Sequence, residues 1–205
     1  MTIGILDYGV GNLFSLQRSL EHIGAPSIIV KDPEQMRACG KLLLPGVGAF
    51  ADAQRKLKDS GLEEALLGEV AAGKPLLGVC LGMQLLMDSS EEFGFHEGLG
   101  LLPGRVASLR DALPAGLKVP HIGWNALQFT EPSHPMLRHN RQGDCMYFVH
   151  SYHVVDCPHV TAWCEYDIPV AAAVAREQVW GCQFHPEKSG LAGLSLLRAF
   201  SEAAA

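Results

Sequence analysis

Short apolar runs alternate with amphipathic segments through the first half of this chain, and this alternation is what most limits its fold. TIGILD, SIIV, KLLLPG and PLLGV are runs of strand length, whereas NLFSLQRSLEHIG and GLEEALLGEVAAG carry apolar residues at helical spacing. Strands that are apolar on both faces and separated by helices are typical of a parallel sheet covered on both sides. The predicted strands are Thr2–Asp7, Ser27–Val30, Lys41–Gly46 and Pro75–Val79. We therefore predict an α/β fold with a mostly parallel central sheet covered by helices.

The second half of the chain has a different pattern, in which strand-like segments are separated by turn residues. RVASL, LKVPHIGWNAL and CMYFVHSYHVV are such segments, and PVAAAVAREQVWGCQFH resembles a hairpin that reverses near Glu177 and Gln178. A closing helix is predicted after Ser189, where leucines and a phenylalanine recur at helical spacing. No linker or repeat interrupts the chain, so we predict a single domain over residues 1–205 with antiparallel strands in its C-terminal half.

Composition and charge argue against several classes of protein. The net charge is −6 with no basic run, which argues against a nucleic-acid-binding surface, and no apolar stretch is long enough to span a membrane. The N-terminal MTIGILDYGVG has the pattern of a first strand rather than of a signal peptide, so a cytoplasmic location is predicted. None of the six cysteines forms a C-x-x-C pair. We therefore expect buried free thiols, and we predict neither a metal site nor a cofactor.

The segment GVCLG, residues 78–82, has the form of a nucleophile elbow, G-x-S-x-G, with a thiol in place of the hydroxyl. It lies between the strand-like PLLGV and the helical pattern of LGMQLLMD, so Cys80 is expected at a sharp turn above the carboxyl edge of the sheet. A side chain at Gly78 or Gly82 would collide with the neighbouring strand or helix in such a turn. The free N–H groups at the start of the next helix would favour the thiolate over the thiol. Cys80 is therefore the candidate nucleophile.

A base for this thiol is available in QFHPEKSG near the C-terminus. Pro186 biases His185 toward an extended backbone, and residues two apart in an extended segment point to the same side. His185 and Glu187 are thus predicted to lie side by side, with the carboxylate orienting the imidazole. An oxyanion on the substrate would need backbone N–H donors, one from Leu81 and a second from LPGVGAF. An ordinary turn is the alternative for this P-G segment.

Together, GVCLGMQLL and FHPEKSG resemble the motifs of the class I glutamine amidotransferases, whose triad is Cys, His and Glu. DYGVGNLFSL, LPGVGAF, VPHIGWNAL, YFVHSYH and FHPEKSGLAGLSLLRAF are similar to segments of the glutaminase subunits of imidazole glycerol phosphate synthases. The resemblance implies a flavodoxin-like fold and, in histidine biosynthesis, hydrolysis of glutamine to glutamate and ammonia through a thioester on Cys80. His185 matches the base and Glu187 its orienting partner. The N–H groups of Val47 and Leu81 match the oxyanion donors.

The resemblance also implies how substrate and partner are bound. Positions that hold the backbone end of glutamine are matched by Gly48, Gln84, Ser151 and Tyr152. The ammonia is used by a partner, a (β/α)8-barrel cyclase subunit that forms a heterodimer with the glutaminase and makes imidazole glycerol phosphate and AICAR. Positions at that interface are matched by Asn12, Trp124 and Lys188. The alternatives are a core position for Trp124, a polar helix face for Gln84 and a solvated charge for Lys188.

Other functions stay open on the sequence alone. The same triad would serve the glutaminase subunit of a different synthase, or a cysteine hydrolase of similar architecture. A non-catalytic regulatory module is a further alternative, against which the complete set of Cys80, His185 and Glu187 argues. The oxyanion segment is expected to need a peptide reorientation before it works. We therefore predict that the isolated chain hydrolyses glutamine poorly and that a liganded cyclase raises the rate.

Overall fold

A nine-stranded sheet forms the centre of the computed structural model, which describes residues 1–114 and 116–204. Its five parallel strands are β1 (Ile3–Leu6), β2 (Ser27–Val30), β3 (Lys41–Leu44), β4 (Leu76–Val79) and β13 (Val179–Cys182). Their spatial order, β2-β1-β3-β4-β13, is that of flavodoxin-like sheets. The α/β prediction is confirmed, and the four predicted N-terminal strands are present with small differences at their ends.

Four antiparallel strands continue this sheet beyond β13. In spatial order they are β12 (Pro169–Arg176), β11 (Val160–Glu165), β8 (His121–Phe129) and β9 (Cys145–His150). The predicted hairpin is present, because β12 and β13 pair antiparallel and the chain reverses at Glu177 and Gln178. Glu177 makes this reversal with a φ of 53°, in the left-handed region. β11 was not predicted from the sequence.

A second sheet of four short strands was not predicted as a sheet, although one of its strands lies within the predicted segment RVASL. It consists of β10 (Tyr152–Val155), β7 (Arg105–Ser108), β5 (Ser89–Ser90) and β6 (His96–Glu97). The segment CMYFVHSYHVV, interpreted as one strand, is divided at Ser151, so that β9 belongs to the large sheet and β10 to the small one. The division occurs because the Ser151 carbonyl accepts from the Leu109 amide (2.9 Å) and β10 then pairs with β7.

Helices cover both faces of the parallel part of the large sheet, which explains why β1, β3, β4 and β13 are buried throughout. They are α1 (Leu13–His22), α2 (Pro33–Ala38), α3 (Phe50–Asp59), α4 (Leu62–Ala71), α5 (Leu81–Leu85), α6 (Leu109–Ala112) and α7 (Gly190–Glu202). On β3, Leu43 packs in the core that contains α1 and α7, whereas Leu42 and Leu44 pack in the core that contains α3 and α4. α1, α4, α5 and α7 were predicted, but α2, α3 and α6 were not. The start of α2 carries a recognisable signal, since Asp32 caps it and Pro33 is its first residue.

All six cysteines are free thiols, and four of them are buried. The expectation of burial is wrong for Cys145, which is exposed at the start of β9, and for Cys157, which is half-buried. Within the described residues, no helix is both long enough and apolar enough to cross a membrane.

Candidate active site

The carboxyl ends of four neighbouring parallel strands bring the predicted site residues together. β1, β3, β4 and β13 lie side by side, and they are followed by Tyr8, the turn 45–48, Cys80 and His185, respectively. Cys80 and His185 are far apart in sequence but adjacent in space because β13 pairs with β4. Crevices at this edge are where open α/β sheets bind ligands.

Cys80 occupies the sharp turn that the sequence predicts. Its φ of 55° and ψ of −110° lie outside the regions favoured for a residue with a side chain. A Cβ at Gly78 would lie 2.7 Å from the Gly82 carbonyl oxygen, and a Cβ at Gly82 would overlap the Leu44 carbonyl oxygen. Both flanking glycines are therefore required by packing. α5 ends at Leu85, so it is shorter than the pattern LGMQLLMD predicts.

His185 and Glu187 form a buried pair beside Cys80. His185 Nδ1 and Glu187 Oε1 are 2.9 Å apart, and the two side chains are 3% and 1% exposed. The structure thus places them side by side, as their spacing predicts, but the backbone differs from the expected one. His185 is extended, whereas residues 186–188 form a 3-10 turn. This turn, rather than a continuous extended segment, brings the carboxylate back to the ring.

The charge state of the His185 ring follows from its neighbours. Burial disfavours the charged imidazole, but contacts with Cys80 and Glu187 outweigh burial and raise the pKa of His185 to about 9. The ring therefore carries a proton at neutral pH. A protonated imidazole held between a thiol and a carboxylate is prepared to donate that proton to a leaving group.

A cavity of about 330 Å³ opens in front of Cys80, a size within the range of small-molecule sites. Its wall includes every predicted oxyanion and glutamine-binding residue and two of the three triad residues: Val47, Gly48, Cys80, Leu81, Gln84, Ser151, Tyr152 and His185. Glu187 lies behind the imidazole and does not line the cavity. Within residues 1–114 and 116–204, no group of three or more His, Cys, Asp or Glu side chains is arranged to hold a metal ion.

The turn 45–48 packs closely against the start of α5. A Cβ at Gly46 would lie 2.7 Å from the Gly82 amide nitrogen and 2.8 Å from Leu81 Cβ, so only glycine allows this approach. Val47 and Leu81 both line the cavity. Among the described residues, neither the Val47 amide nor the Leu81 amide donates to a protein acceptor.

Tyr8 holds this turn and was not identified from the sequence. Its hydroxyl donates to the Pro45 carbonyl (2.6 Å), and its side chain is buried. Burial, followed by the charge on Cys80, raises the pKa of Tyr8, so the hydroxyl keeps its proton. Tyr8 follows Asp7 just after the end of β1. Its contact with the turn could not be predicted, because only the spatial order of the strands shows that β1 lies beside β3.

Two ionisable residues of the cavity wall were also missed. Glu92 is buried, and its Oε2 accepts from the Phe50 amide (2.6 Å) at the start of α3. His150 Nδ1 contacts the Tyr152 carbonyl (2.9 Å), which can only accept, so this nitrogen carries the hydrogen. Burial, followed by the like charge of His121, lowers the pKa of His150 to about 3, so the ring is neutral. Glu92 stands among other acidic residues in SSEEFGF, and nothing local distinguishes it.

The three residues predicted at a partner interface differ from one another in exposure and in their contacts. Trp124 is 56% exposed on β8, which excludes the alternative of a core aromatic, and it meets Tyr147 edge-on at 5.7 Å. Lys188 is exposed at the cavity, with Nζ 5.7 Å from the centre of the Tyr147 ring. Asn12 is half-buried and caps α1, since its Oδ1 accepts from the Ser15 amide (3.4 Å). Trp124 and Lys188 therefore belong to one surface beside the cavity, whereas Asn12 also has a structural role.

The fold and the cysteine site agree with comparisons to known proteins. The family model for class I glutamine amidotransferases matches residues 4–203. A solved glutamine amidotransferase covers 98% of this chain and 97% of its own with a TM-score of 0.75 at 20% identity. PurLQS from Thermotoga maritima covers 97% and 96% with a TM-score of 0.74 at 19% identity, and both likenesses concern the fold alone. The chain belongs to the class I glutamine amidotransferase family, and it is an enzyme of that class.

Relatives of closer sequence identify the branch of this family. The imidazole glycerol phosphate synthase subunit HisH of Geobacillus kaustophilus is 50% identical over 95% of this chain and 93% of its own length. The subunit HisH of Moorella thermoacetica is 46% identical over 98% and 94%. This chain is a member of the HisH family of imidazole glycerol phosphate synthase subunits. The family recognised from the sequence motifs is thereby confirmed.

Proposed function

We propose that this chain is the glutaminase subunit of an imidazole glycerol phosphate synthase in histidine biosynthesis, working in the cytoplasm. It hydrolyses glutamine to glutamate and ammonia and supplies the ammonia to a cyclase subunit. The observation that carries the proposal is that Cys80 and His185 meet at one cavity while Glu187 holds the imidazole from behind. One glutamine amidotransferase domain spans residues 1–205, of which Ala115 and Ala205 lie outside the described residues.

The first half of the reaction forms a thioester. The Cys80 sulfur, as thiolate, attacks the side-chain carbonyl carbon of glutamine, and the carbonyl electrons move to its oxygen. The N–H groups of Val47 and Leu81 stabilise that oxyanion. When the oxyanion collapses, the carbon–nitrogen bond breaks and His185 donates its proton to the departing nitrogen. Ammonia leaves, and His185 is now the neutral base.

The second half returns the enzyme to its starting state. Neutral His185 takes a proton from water as the water oxygen attacks the thioester carbon. The carbon–sulfur bond then breaks, glutamate is released, and the sulfur leaves as a thiolate beside the protonated ring. Glu187 holds the imidazole through Nδ1 in both halves, which leaves Nε2 to face the reacting atoms.

The remaining wall residues suit the amino-acid end of glutamine. Gly48, Ser151 and Tyr152 lie on the wall where backbone and hydroxyl groups can contact a carboxylate. Glu92 places a buried carboxylate on the same wall, which suits the α-ammonium group. A neutral His150 adds no charge that would repel this ammonium group.

The partner is proposed to be a (β/α)8-barrel cyclase that docks beside the cavity. Trp124 and Ile122 expose large apolar side chains on β8, and Val47 of the oxyanion turn is 43% exposed. Lys188 lies over the same Tyr147 ring that Trp124 contacts, and it lines the cavity together with Val47. A partner seated on this surface would therefore lie beside the oxyanion turn, which links docking to the oxyanion donor. Asn12 and Lys188 complete the proposed interface.

A different synthase is the main competing partner. Solved glutamine amidotransferase domains that resemble this fold at 13–20% identity carry no information on the partner. Relatives at 44–50% identity, each named as an imidazole glycerol phosphate synthase subunit HisH, support the synthase proposed here. The complete triad and its cavity argue against a regulatory module without activity.

Glutamate release tests the proposal directly. The isolated chain is expected to release glutamate slowly, and addition of a purified cyclase with its nucleotide ligand is expected to raise the rate. Full activity without a partner would contradict the gating by docking. A synthase complex that makes no imidazole glycerol phosphate from glutamine, but does so from free ammonium, would contradict the glutaminase role.

Cys80→Ser tests the nucleophile, because a hydroxyl is far less acidic than a thiol. Turnover is expected to be lost while glutamine binding persists. Cys145→Ser is the matched control, since Cys145 is exposed and outside the cavity, and it should keep normal turnover. Retained turnover in Cys80→Ser would show that another group is the nucleophile.

A further inference from the structure

Gln183 is a buried amide that touches the proposed nucleophile and has no part in the triad. It follows β13, two residues before His185, and no part of it is exposed to solvent. Its Nε2 lies 3.7 Å from Cys80 Sγ. Its Oε1 lies 3.0 Å from Gln84 Nε2. A buried polar side chain in contact with a reacting atom is expected to affect the reaction.

The direction of these amides follows from a single backbone carbonyl. The Tyr152 carbonyl can only accept a hydrogen bond, so the end of Gln84 that lies 2.9 Å from it is the NH2 group. The same NH2 group faces Gln183, which must therefore present its oxygen to Gln84. The NH2 group of Gln183 is then directed at the Cys80 sulfur. If the side-chain amide of Gln183 were turned by half a rotation, its NH2 group would face the NH2 group of Gln84 and its oxygen would face the Cys80 sulfur.

We propose that Gln183 is a further catalytic residue of this glutaminase, whose side-chain NH2 group donates a hydrogen bond to the Cys80 thiolate. The inference rests on the proposed role of Cys80 as nucleophile. A hydrogen bond to a charged acceptor is stronger than one to a neutral acceptor, so this contact favours the thiolate over the thiol. It acts twice in each turnover, before the sulfur attacks and again when water expels the sulfur from the thioester.

Gln84 is the positioning residue that keeps Gln183 in the donating direction. Both acceptors of the Gln84 NH2 group belong to the protein, which leaves its Oε1 as the atom that glutamine can contact. The polar-face alternative for Gln84 is therefore insufficient, because this residue links the cavity wall to the nucleophile. Substrate bound against Gln84 would hold the side-chain amides of Gln84 and Gln183 in the orientation that directs the Gln183 NH2 group at the Cys80 sulfur.

The experiment measures alkylation of Cys80 by iodoacetamide as a function of pH. It uses the full chain in complex with its cyclase, and the Cys80 peptide is quantified by mass spectrometry, so that labelling of the exposed Cys145 is counted separately. In Gln183→Leu the pH midpoint of labelling should rise by about one unit or more, since the donor to the thiolate is lost. In Gln183→Glu, which keeps an oxygen for Gln84 but sets another against the sulfur, the rise should be larger.

Gln84→Met and Gln178→Leu complete the design. Gln84→Met removes the group that orients Gln183, so the midpoint should rise, by less than in a folded Gln183→Leu. This variant tests the proposal on its own if Gln183→Leu does not fold. Gln178 is the matched control, because its side chain donates to the Val70 carbonyl (3.1 Å) away from the cavity. Gln178→Leu should keep the normal midpoint.

Two outcomes would overturn the inference, and they are distinguishable from each other. A normal labelling midpoint in folded Gln183→Leu and Gln84→Met would show that Gln183 and Gln84 do not stabilise the thiolate. This result would leave the proposed triad unaffected. Normal glutamate release by Cys80→Ser would show that Cys80 is not the nucleophile, and the proposed role of Gln183 would then fail as well.

Discussion

The imidazole of His185 is joined to the Glu187 carboxylate at 2.9 Å, and both side chains are almost entirely shielded from water. The chain contains a second pair of the same kind, His139 and Glu202, at 2.6 Å, but its side chains are 35% and 46% exposed. Charge interactions are weakly screened in a buried site and strongly screened at a surface. The first pair can therefore set the proton affinity of a catalytic ring, whereas the second is a surface contact.

Replacing Glu187 by Gln should shift the alkaline limit of activity. His185 acts as an acid only while protonated, so glutamate release by the complex is expected to fall as the pH rises through the His185 pKa of about 9. Loss of the carboxylate removes one of the contacts that raise this pKa, so the limit should move to lower pH in Glu187→Gln. The rate at neutral pH should also fall, by about 10² or more.

The pH profile of glutamate release, with saturating glutamine and cyclase, is the measurement. Glu202→Gln is the control, because it breaks the exposed pair with His139 and should leave the profile unchanged. An alkaline limit that is the same in Glu187→Gln and the unmodified chain would show that Glu187 does not govern the His185 proton.

The catalytic elements were predictable because each depends on its own local sequence. Gly78 is required by its contact with Gly82 within the elbow, so the pattern GVCLG carries the signal, although Gly82 also packs against Leu44 of β3. His185 and Glu187 lie on one short turn. The same locality explains why the parallel strands were identified, since a strand buried on both faces is apolar throughout.

The residues that were missed depend on contacts between distant segments. Glu92 gains its place through the Phe50 amide, and Gln183 through Gln84 and Cys80. The small sheet was missed because its strands β5 and β6 have two residues each and are stabilised by pairing, β6 with β5 and β5 with β7. No periodic pattern can form over so few residues.

Removing the Val47 N–H tests the oxyanion donor. Val47→Pro lacks the N–H group, so kcat at saturating cyclase is expected to fall by about 10²–10³. Val47→Ala keeps the N–H and loses only part of a side chain that is 43% exposed, so its kcat should stay close to normal. Steady-state glutamate release distinguishes the two. Equal kcat values in both variants would show that another group stabilises the oxyanion.

Trp124→Ala tests the docking surface. A large aromatic side chain that is 56% exposed and packs edge-on against Tyr147 is a suitable anchor for a partner. Its loss should weaken cyclase binding by about tenfold or more, as measured by titration calorimetry. Ile28→Ala is the control, because Ile28 is 40% exposed on β2, at the opposite edge of the nine-stranded sheet from β9. Equal binding by the two variants would place the partner elsewhere.

Gly82→Ala and Gly68→Ala separate close packing from helix propensity. Both glycines lie in helices, but a Cβ at Gly82 overlaps the Leu44 carbonyl oxygen, whereas a Cβ at Gly68 has no neighbour within 4 Å. Gly82→Ala must therefore push α5 away from β3, which should lower the free energy of unfolding by about 2 kcal/mol. Gly68→Ala should raise it by about 1 kcal/mol, since alanine favours the helix. Denaturant unfolding of the two variants measures the difference, and a Gly82→Ala variant as stable as the unmodified chain would mean that the elbow tolerates a side chain there.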